Sequence, residues 1–530
     1  MQYHTILANI FVSSILFGQT NQSGELPIGL TEEEKNNIHI IYEMGRDTDP
    51  PIAPVRNVAE FERMSGVLIR YPFGISVEII RELSEDLIVY CLVSSAQQNS
   101  ALNSMSSGNV NTNNVEFITG PTDSYWTRDY GPWWVVDGEN NMSIVDFTYN
   151  RPRPNDNEAP FKISQSLNVP YYSVDIVHAG GNYMTDGYGI SASSNLVYEE
   201  NIMSNDELNN LMNLYYGIET YHVIADPNNT YIEHIDCWGK YLSPTKVLIR
   251  EVAASHPQYS EVELAANHFS EALNTWGEPW EVFRVWTPDD QPYTNSIIVN
   301  NKVLVPIMNS SWDDEALAVY ETAMPGYEVI GLTGTWESTD ALHCRVKGIP
   351  DLKMLQLFHK PLRDTIAPLQ LSGYQLELDI DDLSGAGIIE ESVKVFWRKE
   401  SMAVYDSSLM YQSDIPEEPN KYIGYIPVQA FASSIHYYVQ GADSTGRVEA
   451  SPLAGYHSFY ALPTDGCDSW ERGDMDNSGA IDILDVLILA DLIVYNDSAG
   501  VCCESVADIN TDGILSIIDI VSLVSMVISQ

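Results

Sequence analysis

Four side chains that lie far apart in the sequence could together perform covalent chemistry on a cationic substrate. Cys344 offers a thiol nucleophile, His234 an imidazole, and Asp236 and Asp129 two carboxylates. Two carboxylates can hold a planar guanidinium by charge-assisted hydrogen bonds while a thiol attacks its central carbon and an imidazole moves protons. Each residue alone has an ordinary structural interpretation, a core cysteine, a structural His-x-Asp or an aspartate in a turn, so only their combination indicates chemistry.

The elements that would position these groups follow an alternating pattern of strands and helices. Apolar runs such as 246–249 and 296–299 alternate with helical patterns such as 76–84. The pair Asn300–Asn301 between two apolar runs predicts a hairpin turn. His234 and Asp236 are predicted in a strand or strand end, where residues two apart face the same side. These patterns indicate an α/β architecture, although periodicity alone does not distinguish a doubly wound sheet from a propeller.

The sequence around the cysteine resembles a known enzyme family. Leu342-His343-Cys344 is followed, after five residues, by Pro350, and the segments Trp126–Asp129 and His234–Asp236 lie upstream. This combination resembles the guanidine-modifying (pentein) enzymes, and most closely the bacterial peptidylarginine deiminases, over residues 54–362. The resemblance implies a five-bladed α/β-propeller of ββαβ modules with the active site at its axis.

The resemblance also implies a role for each chemical group and no cofactor for catalysis. Cys344 would attack the guanidine carbon, expel ammonia and leave a covalent thiouronium intermediate. His234 would protonate the leaving ammonia and then activate the water that releases citrulline. Asp129 and Asp236 would bind guanidinium nitrogens, and Asn295 would lie beside them.

Two arginines bear on the substrate. The resemblance places Arg151 and Arg153 on the α-carboxylate of a C-terminal arginine, and an extended segment would put both on one face. The alternative is that both are solvated in a turn. Agmatine carries an amine where arginine carries its carboxylate, and agmatine deiminases have a glutamate where this chain has Ala179, so both features disfavour agmatine. The resemblance implies further substrate contacts from Trp126, Tyr231 and Ile232.

Composition limits the classes of partner. The chain has 530 residues, with 74 acidic against 26 basic residues and a net charge of −48. Such acidity argues against nucleic acid and anionic membranes, which both require basic surface. The length predicts several domains. We expect a signal peptide at 1–19, a polar arm or pro-segment at 20–50, the catalytic domain at 51–362, an immunoglobulin-like β-sandwich at 366–462 and a small module at 464–530.

The signal peptide rests on an apolar run. Residues 6–17 are too few to span a bilayer but fit the apolar region of a secretory signal. Residues 1–4 lack Lys and Arg, so a buried N-terminal strand or helix remains an alternative. We expect a secreted or cell-surface protein without a membrane span.

The C-terminal module carries two acidic loops, 474–485 and 508–519. Each has oxygen side chains at positions 1, 3, 5, 9 and 12 and glycine at 6, and each leads into an apolar helix, which predicts two calcium sites. The pair resembles a type I dockerin, which implies a cohesin-like partner. One disulfide is plausible among Cys467, Cys502 and Cys503. The expected ligands are Asp474, Asp476, Ser478, Ala480, Asp482, Asp485, Asp508, Asn510, Asp512, Ile514 and Asp519.

Three functions follow from these features. The first is an exported hydrolase that acts on arginine-containing peptides or proteins and converts C-terminal peptidyl arginine to citrulline with release of ammonia. The second is an agmatine or free-arginine deiminase with the same chemistry. The third is a non-catalytic binding protein anchored by the dockerin, against which the presence of all four chemical groups argues.

Overall fold

The computed structural model describes residues 26–229, 232–369, 372–429, 432–463, 470–476, 478–495, 506–512 and 514–529. The expected signal peptide, Tyr231 and the cysteines at 467, 502 and 503 therefore lie outside the described residues. The chain divides after Lys353 into two compact units.

The first unit contains seventeen described strands. They are β1 (Arg56–Asn57), β2 (Met64–Arg70), β3 (Ile88–Val93), β4 (Val115–Thr119), β5 (Trp133–Val136), β6 (Met142–Tyr149), β7 (Tyr171–His178), β8 (Met184–Thr185), β9 (Ile190–Ser194), β10 (Thr220–Ile224), β11 (Gly239–Ser243), β12 (Lys246–Glu251), β13 (Glu281–Trp286), β14 (Ile297–Val299), β15 (Lys302–Ile307), β16 (Glu328–Thr333) and β17 (Lys347–Pro350).

The described helices of this unit connect these strands. They are α1 (Glu32–Asn36), α2 (His39–Glu43), α3 (Val77–Asp86), α4 (Gln98–Ser107), α5 (Pro154–Asn157), α6 (Ala159–Leu167), α7 (Leu196–Glu199), α8 (Asn205–Tyr216), α9 (Tyr259–Glu271), α10 (Asp313–Ala323) and α11 (Leu342–Arg345). As the sequence predicts, α3 begins after Ser76, whose side chain accepts a hydrogen bond from the backbone of Ile79.

One pairing scheme is repeated in the five sheets of this unit. In each, an antiparallel pair is extended by a parallel third strand, and a helix connects the second strand to the third. The five units are β17-β2-β3, β5-β6-β7, β8-β9-β10, β11-β12-β13 and β14-β15-β16. Strand β17 is the last strand of the unit, but it pairs with β2, which lies near the start of the unit. The last strand therefore completes the sheet that contains β2 and β3.

The hairpin predicted at Asn300–Asn301 is confirmed. Val299 pairs with Lys302 across it, and Asn300 has φ +54°. Asparagine tolerates this left-handed conformation better than most residues, which explains its presence in the turn. The side chain of Asn300 also accepts a hydrogen bond from the backbone of Met64 and so ties this hairpin to β2.

The second unit begins with two sheets around one core, antiparallel except for one short parallel pairing between Thr365–Ile366 and residues 460–461. Their strands are β18 (Leu355–Phe358), β19 (Thr365–Ile366), β20 (Tyr374–Asp382), β21 (Lys394–Lys399), β22 (Asp406–Leu409), β23 (Tyr411–Gln412), β24 (Lys421–Ile426), β25 (Ser433–Ala442), β26 (Val448–Ser451) and β27 (His457–Ala461). Leu378 of one sheet and Val439 of the other lie in the same buried cluster. This is a sandwich, and its immunoglobulin-like character stays a prediction. Strand β18, which the sequence analysis placed within the catalytic domain, pairs with β20.

Two helices follow near the C-terminus, α12 (Ile483–Tyr495) and α13 (Ile517–Ser529). Leu489 and Leu523, one from each helix, are fully buried in one cluster with Trp470. Within the described ranges, no helix combines the length and apolar character needed to span a bilayer.

Candidate active site

The candidate residues occupy equivalent positions in the five repeated sheets. Asp129, Gly181, Asp236, Asn295 and Cys344 each lie in the short segment that precedes the opening strand of a sheet, β5, β8, β11, β14 and β17 respectively. Each segment lies at the equivalent end of its sheet, and these five ends adjoin one another. The five segments therefore lie side by side. The repeat therefore explains why residues so distant in sequence share one site.

Hydrogen bonds join the five segments into a closed circle. The backbone of Arg128 donates to Cys344 O at 3.1 Å, Gly180 donates to Asp129 O at 2.8 Å, and His343 donates to Asn295 O at 3.0 Å. The other two contacts are from Ile235 N to Asn182 Oδ1, at 3.2 Å, and from Thr294 Oγ1 to Asp236 O, also at 3.2 Å. Each segment is thus held by both neighbours, which fixes the side chains relative to one another.

The His-x-Asp segment is not the strand that the sequence predicted. Glu233 has φ +55°, and residues Ile235–Cys237 form a single 3₁₀ turn before β11. The turn still points both side chains the same way, because a Cβ placed on Gly181 would lie 2.7 Å from His234 Nδ1 and 3.0 Å from Asp236 Oδ2. The segment therefore delivers both groups to the site by a tight turn rather than by strand alternation.

Gly181 is the point at which three functional groups meet. Besides the His234 and Asp236 atoms, Asp129 Oδ1 would lie 2.7 Å from such a Cβ, and this oxygen accepts a hydrogen bond of 3.1 Å from Gly181 N. Any larger side chain here would displace the catalytic groups. Gly181 therefore lines the site, because its missing side chain leaves room for the three groups.

The thiol of Cys344 lies beside a carboxylate and an amide. Asn295 Nδ2 donates to Sγ at 3.2 Å, and Asp236 Oδ2 lies 3.6 Å from Sγ. Cys344 is 1% exposed. Burial, followed by the negative charges of Asp236 and Asp129, raises the pKa of Cys344 well above its ordinary value. The group is a thiol in this environment, and a cation placed between the carboxylates would favour the thiolate.

The pKa values of the two carboxylates are shifted in opposite directions. Burial and then repulsion by Asp236 raise the pKa of Asp129 well above its usual range. Burial would likewise raise the pKa of Asp236, but the hydrogen bond and charge of His343 hold it below the ordinary value. A bound guanidinium would compensate both carboxylates, which a neutral substrate would not.

His234 is suited to transfer protons. Burial lowers its pKa to about 3, so the imidazole is neutral at physiological pH. Among the described residues, neither of its nitrogens has a hydrogen-bond partner, and Nδ1 lies 3.7 Å from Asp129 Oδ1. Both nitrogens therefore remain available to a substrate or a water molecule.

A buried network beneath Asp236 escaped the sequence analysis. His343 Nδ1 lies 2.7 Å from Asp236 Oδ2, and His343 Nε2 lies 2.7 Å from Glu60 Oε2. Glu60 also pairs with Arg128 at 2.8 Å and with Lys240 at 2.7 Å. The sequence could have indicated His343 as a site residue, because it directly precedes Cys344. No sequence signal indicated Glu60, which lies in a segment without a motif. The network orients Asp236 and stabilises its negative charge.

The two arginines are separated rather than aligned. The backbone of Arg153 donates to Arg151 O at 2.7 Å, and α5 begins at Pro154, so the predicted extended segment is wrong. The charge of Arg151 acts on Asp129 and His234. Arg153 instead stacks over Trp126, with its guanidinium carbon 5.2 Å from the ring centre. The two guanidiniums thus have different surroundings: Arg151 acts electrostatically on Asp129 and His234, whereas Arg153 stacks on Trp126.

The remaining expected contact residues are apolar. Trp126 is 2% exposed and lies three residues before Asp129. Ile232 is buried in a cluster with Ile235 and Trp238, which supports the His234 turn. Tyr231 lies outside the described residues.

Comparison with known proteins places the chain. Residues 69–350, more than half of the sequence, match the Porphyromonas-type peptidyl-arginine deiminase family. The chain belongs to this family. Its deiminases act on amidine C–N bonds, so this chain is an enzyme of that class. The matched range contains Asp129, His234, Asp236, Asn295 and Cys344.

Individual deiminases support the assignment. An agmatine deiminase of Medicago truncatula is 25% identical over 310 residues, which cover 47% of this chain and 81% of that protein. The solved agmatine deiminase of Enterococcus faecalis aligns over 58% of this chain and all of its own, with 17% identity and a TM-score of 0.52. This structural likeness shows the pentein fold of the first unit.

Proposed function

We propose that the protein hydrolyses the guanidinium of arginine to citrulline and ammonia, with preference for arginine at the C-terminus of a peptide. One observation supports this most directly. Two buried carboxylates, Asp129 and Asp236, flank Gly181 beside the Cys344 thiol, and the cationic Arg151 stands next to them. Such a site can bind a guanidinium at one end and an anion at the other.

The first half of the reaction uses the substrate's own charge. A guanidinium between Asp129 and Asp236 favours the Cys344 thiolate. The thiol proton passes to His234, and Sγ adds to the central guanidine carbon. His234 returns this proton to an amino nitrogen, the C–N bond breaks and ammonia leaves. The product is a thiouronium bonded to Cys344.

In the second half of the reaction, water replaces the cysteine sulfur on the guanidine carbon. His234, neutral again, accepts a proton from a water molecule whose oxygen adds to the same carbon. The C–S bond then breaks, the added oxygen loses its second proton to solvent, where the released ammonia becomes ammonium, and the neutral ureido group of citrulline is left. The proton held by His234 returns to the sulfur, so the enzyme regains its starting state. Each step uses groups present in the chain.

Arg151 supports the preference for a free carboxylate. It is buried, and its Nη1 donates to Asn150 O at 3.0 Å. Within the part of the chain that the structure describes, it forms no ion pair, and its Nε has no partner. Asp129 and Glu200 interact with it electrostatically but form no ion pair with it in the described residues. A buried cation without a direct ion pair favours an anionic ligand, which an α-carboxylate would supply.

Agmatine is the second candidate substrate. The relatives cited above are named agmatine deiminases, and Arg153 is neutralised by Glu34 in the structure. Against it, Arg151 would repel the agmatine amine, and Ala179 offers no carboxylate to bind that amine. These opposing features make the substrate preference an experimental question.

A panel of substrates tests the proposal. Citrulline or ureido formation and ammonia release would be measured with a peptide ending in arginine, its C-terminal amide, an internal-arginine peptide, free arginine and agmatine. We expect the free acid to exceed the amide in kcat/KM by about 30-fold or more, because the amide leaves a buried cation unpaired. A higher kcat/KM for agmatine would establish the second candidate, and no turnover of any substrate would favour a binding protein.

We further propose that the C-terminal module binds structural calcium and attaches to a cohesin-like partner, and that the protein is exported. Carboxylate oxygens of Asp474, Asp476 and Asp485 lie within 4.8 Å of one another. Asp474 accepts hydrogen bonds from the backbones of Ser478 and Gly479, which curves the loop around these oxygens. This donor set suits calcium, which takes six to eight oxygen ligands.

Two calcium ions per chain are expected, because the second loop repeats the backbone hydrogen bonds of the first: Asp508 accepts from the backbone of Asp512 and Asp519 from that of Asn510. Titration calorimetry on the full chain should show two sites, and Asp474→Asn and Asp508→Asn should each abolish one. Asp414→Asn, outside both loops, is the control. Deiminase activity should survive chelation, since none of the loop residues lies in the catalytic unit. Absence of calcium uptake by the unaltered protein would refute this proposal.

A further inference from the structure

Arg153 is already bound by a carboxylate of its own chain. Its Nε lies 2.7 Å from Glu34 Oε1, and its Nη2 donates to Pro27 O at 2.9 Å and Gly29 O at 3.2 Å. Arg153 is 1% exposed, and its Nη1 has no hydrogen-bond partner among the described residues. The expected substrate ligand Arg153 is thus occupied by the N-terminal arm, by which we mean residues 26–45.

A local motif presents Glu34 to Arg153. Thr31 and Glu34 form a capping box at the start of α1, in which Thr31 N donates to Glu34 Oε2 at 2.7 Å and Glu34 N donates to Thr31 Oγ1 at 3.1 Å. Burial would raise the pKa of Glu34, but hydrogen bonds with Arg153 and Thr31 lower it. The carboxylate is therefore anionic and held in place.

The arm also contacts a buried apolar cluster of the catalytic unit. Ile28 packs on the cluster that contains Ile232 and Trp238, the residues that support the His234 turn. Between Ile28 and Glu34 the arm thus extends from this cluster to Arg153. The guanidinium of Arg153 in turn stacks over Trp126. This is the surface that a peptide ending in arginine would need to contact.

We propose that Glu34 is a specificity-determining residue that occupies the place of the substrate's α-carboxylate on Arg153. The proposal rests on the proposed function. Both ligands are carboxylates directed at the same buried guanidinium, so they compete. With Glu34 bound, only Arg151 attracts a substrate carboxylate; with Glu34 displaced, both arginines do.

The two helices of the arm bury few side chains, which favours such competition. Glu34 is the only buried residue of α1, and Ile41 is the only buried residue of α2. Segments with few buried contacts open at low free-energy cost. The apparent affinity for a carboxylate substrate is then reduced by the fraction of molecules in which the arm is displaced.

Glu34→Gln tests this competition, since glutamine keeps the size and the cap acceptor but removes the charge. We expect the ratio of kcat/KM for the free-acid peptide to that for its amide to rise by about tenfold or more. Glu33→Gln, an exposed neighbour on the same helix, should leave this ratio unchanged. Thr31→Ala, which removes the cap without touching the carboxylate, should raise the ratio by about fivefold.

The outcomes separate the two proposals. A free-acid preference in the unaltered protein that Glu34→Gln and Thr31→Ala leave unchanged would overturn the role of Glu34 and keep the proposed function. A ratio near one in all proteins would overturn both. A fall for both substrates, together with a lower melting temperature, would assign the arm a structural role and also overturn the inference.

Discussion

Replacement of Cys344 with alanine is expected to abolish citrulline formation, with a fall in turnover of at least about a thousandfold. Of the two described thiols at the circle of five segments, that of Cys344 accepts a hydrogen bond from Asn295 and lies beside Asp236, and we assign the covalent intermediate to it. Its surroundings, Asn295 and Asp236, would remain in place, because removal of one sulfur from a site held by backbone hydrogen bonds changes no main-chain contact. Activity would be measured by a colorimetric citrulline assay, and folding by the melting temperature.

Cys237 provides a matched control for this prediction. It is also buried, and its Sγ lies 3.6 Å from Asp236 Oδ1. Burial and the charge of Asp236 raise its pKa well above the ordinary value. Within the described residues Asn295 Nδ2 donates to Cys344, and no such contact is made to Cys237, so Cys237→Ala should lose less than about tenfold in activity. Activity above a few per cent in Cys344→Ala, or equal losses in both variants, would refute the assignment of Cys344 as nucleophile.

Arg151→Ala is expected to remove most of the preference for a free C-terminal carboxylate. Loss of one partner of a desolvated charge pair costs about 2–5 kcal/mol, which is roughly a 30-fold to several-thousandfold decrease in kcat/KM for the free-acid peptide. Arg151 should matter more than Arg153, because Glu34 already pairs with Arg153, whereas Arg151 has no ion pair within the described residues. Arg153→Ala should therefore reduce the preference less.

The measured quantity is the ratio of kcat/KM for the free acid to that for the amide. This ratio is informative because Arg151 also affects the pKa of Asp129, so its removal will alter the chemical step for every substrate. A change in the chemical step alters kcat/KM for the acid and the amide alike and leaves their ratio unchanged. Loss of carboxylate binding lowers kcat/KM for the free acid alone and therefore lowers the ratio. A ratio unchanged by Arg151→Ala would show that Arg151 acts only on Asp129 and would leave agmatine or an internal arginine as the substrate.

Local sequence patterns determined the chemistry and the repeated elements. The residue types at 129, 234, 236 and 344 define a thiol, an imidazole and two acids whatever the fold, and Asn300 marks its hairpin by its tolerance of positive φ. Such signals act within a few residues, so they are readable without tertiary information. The deiminase family followed from these motifs together with the order in which they occur.

Predictions from residue spacing were wrong where the backbone forms a tight turn instead of a strand. His234 and Asp236 were expected to share a face of a strand, and Arg151 and Arg153 to share a face of an extended segment. Both pairs lie in tight turns instead. A spacing of two residues therefore gave the wrong geometry, and in the second case the wrong partner for Arg153.

Only the tertiary structure decided which distant groups meet. Glu60 binds His343 across 283 positions, His343 binds Asp236 across 107, and Glu34 binds Arg153 across 119. No periodicity of the sequence encodes these pairs. They arise because repeated sheets bring equivalent segments together, and because buried charges are stable only beside opposite charges that the fold places there.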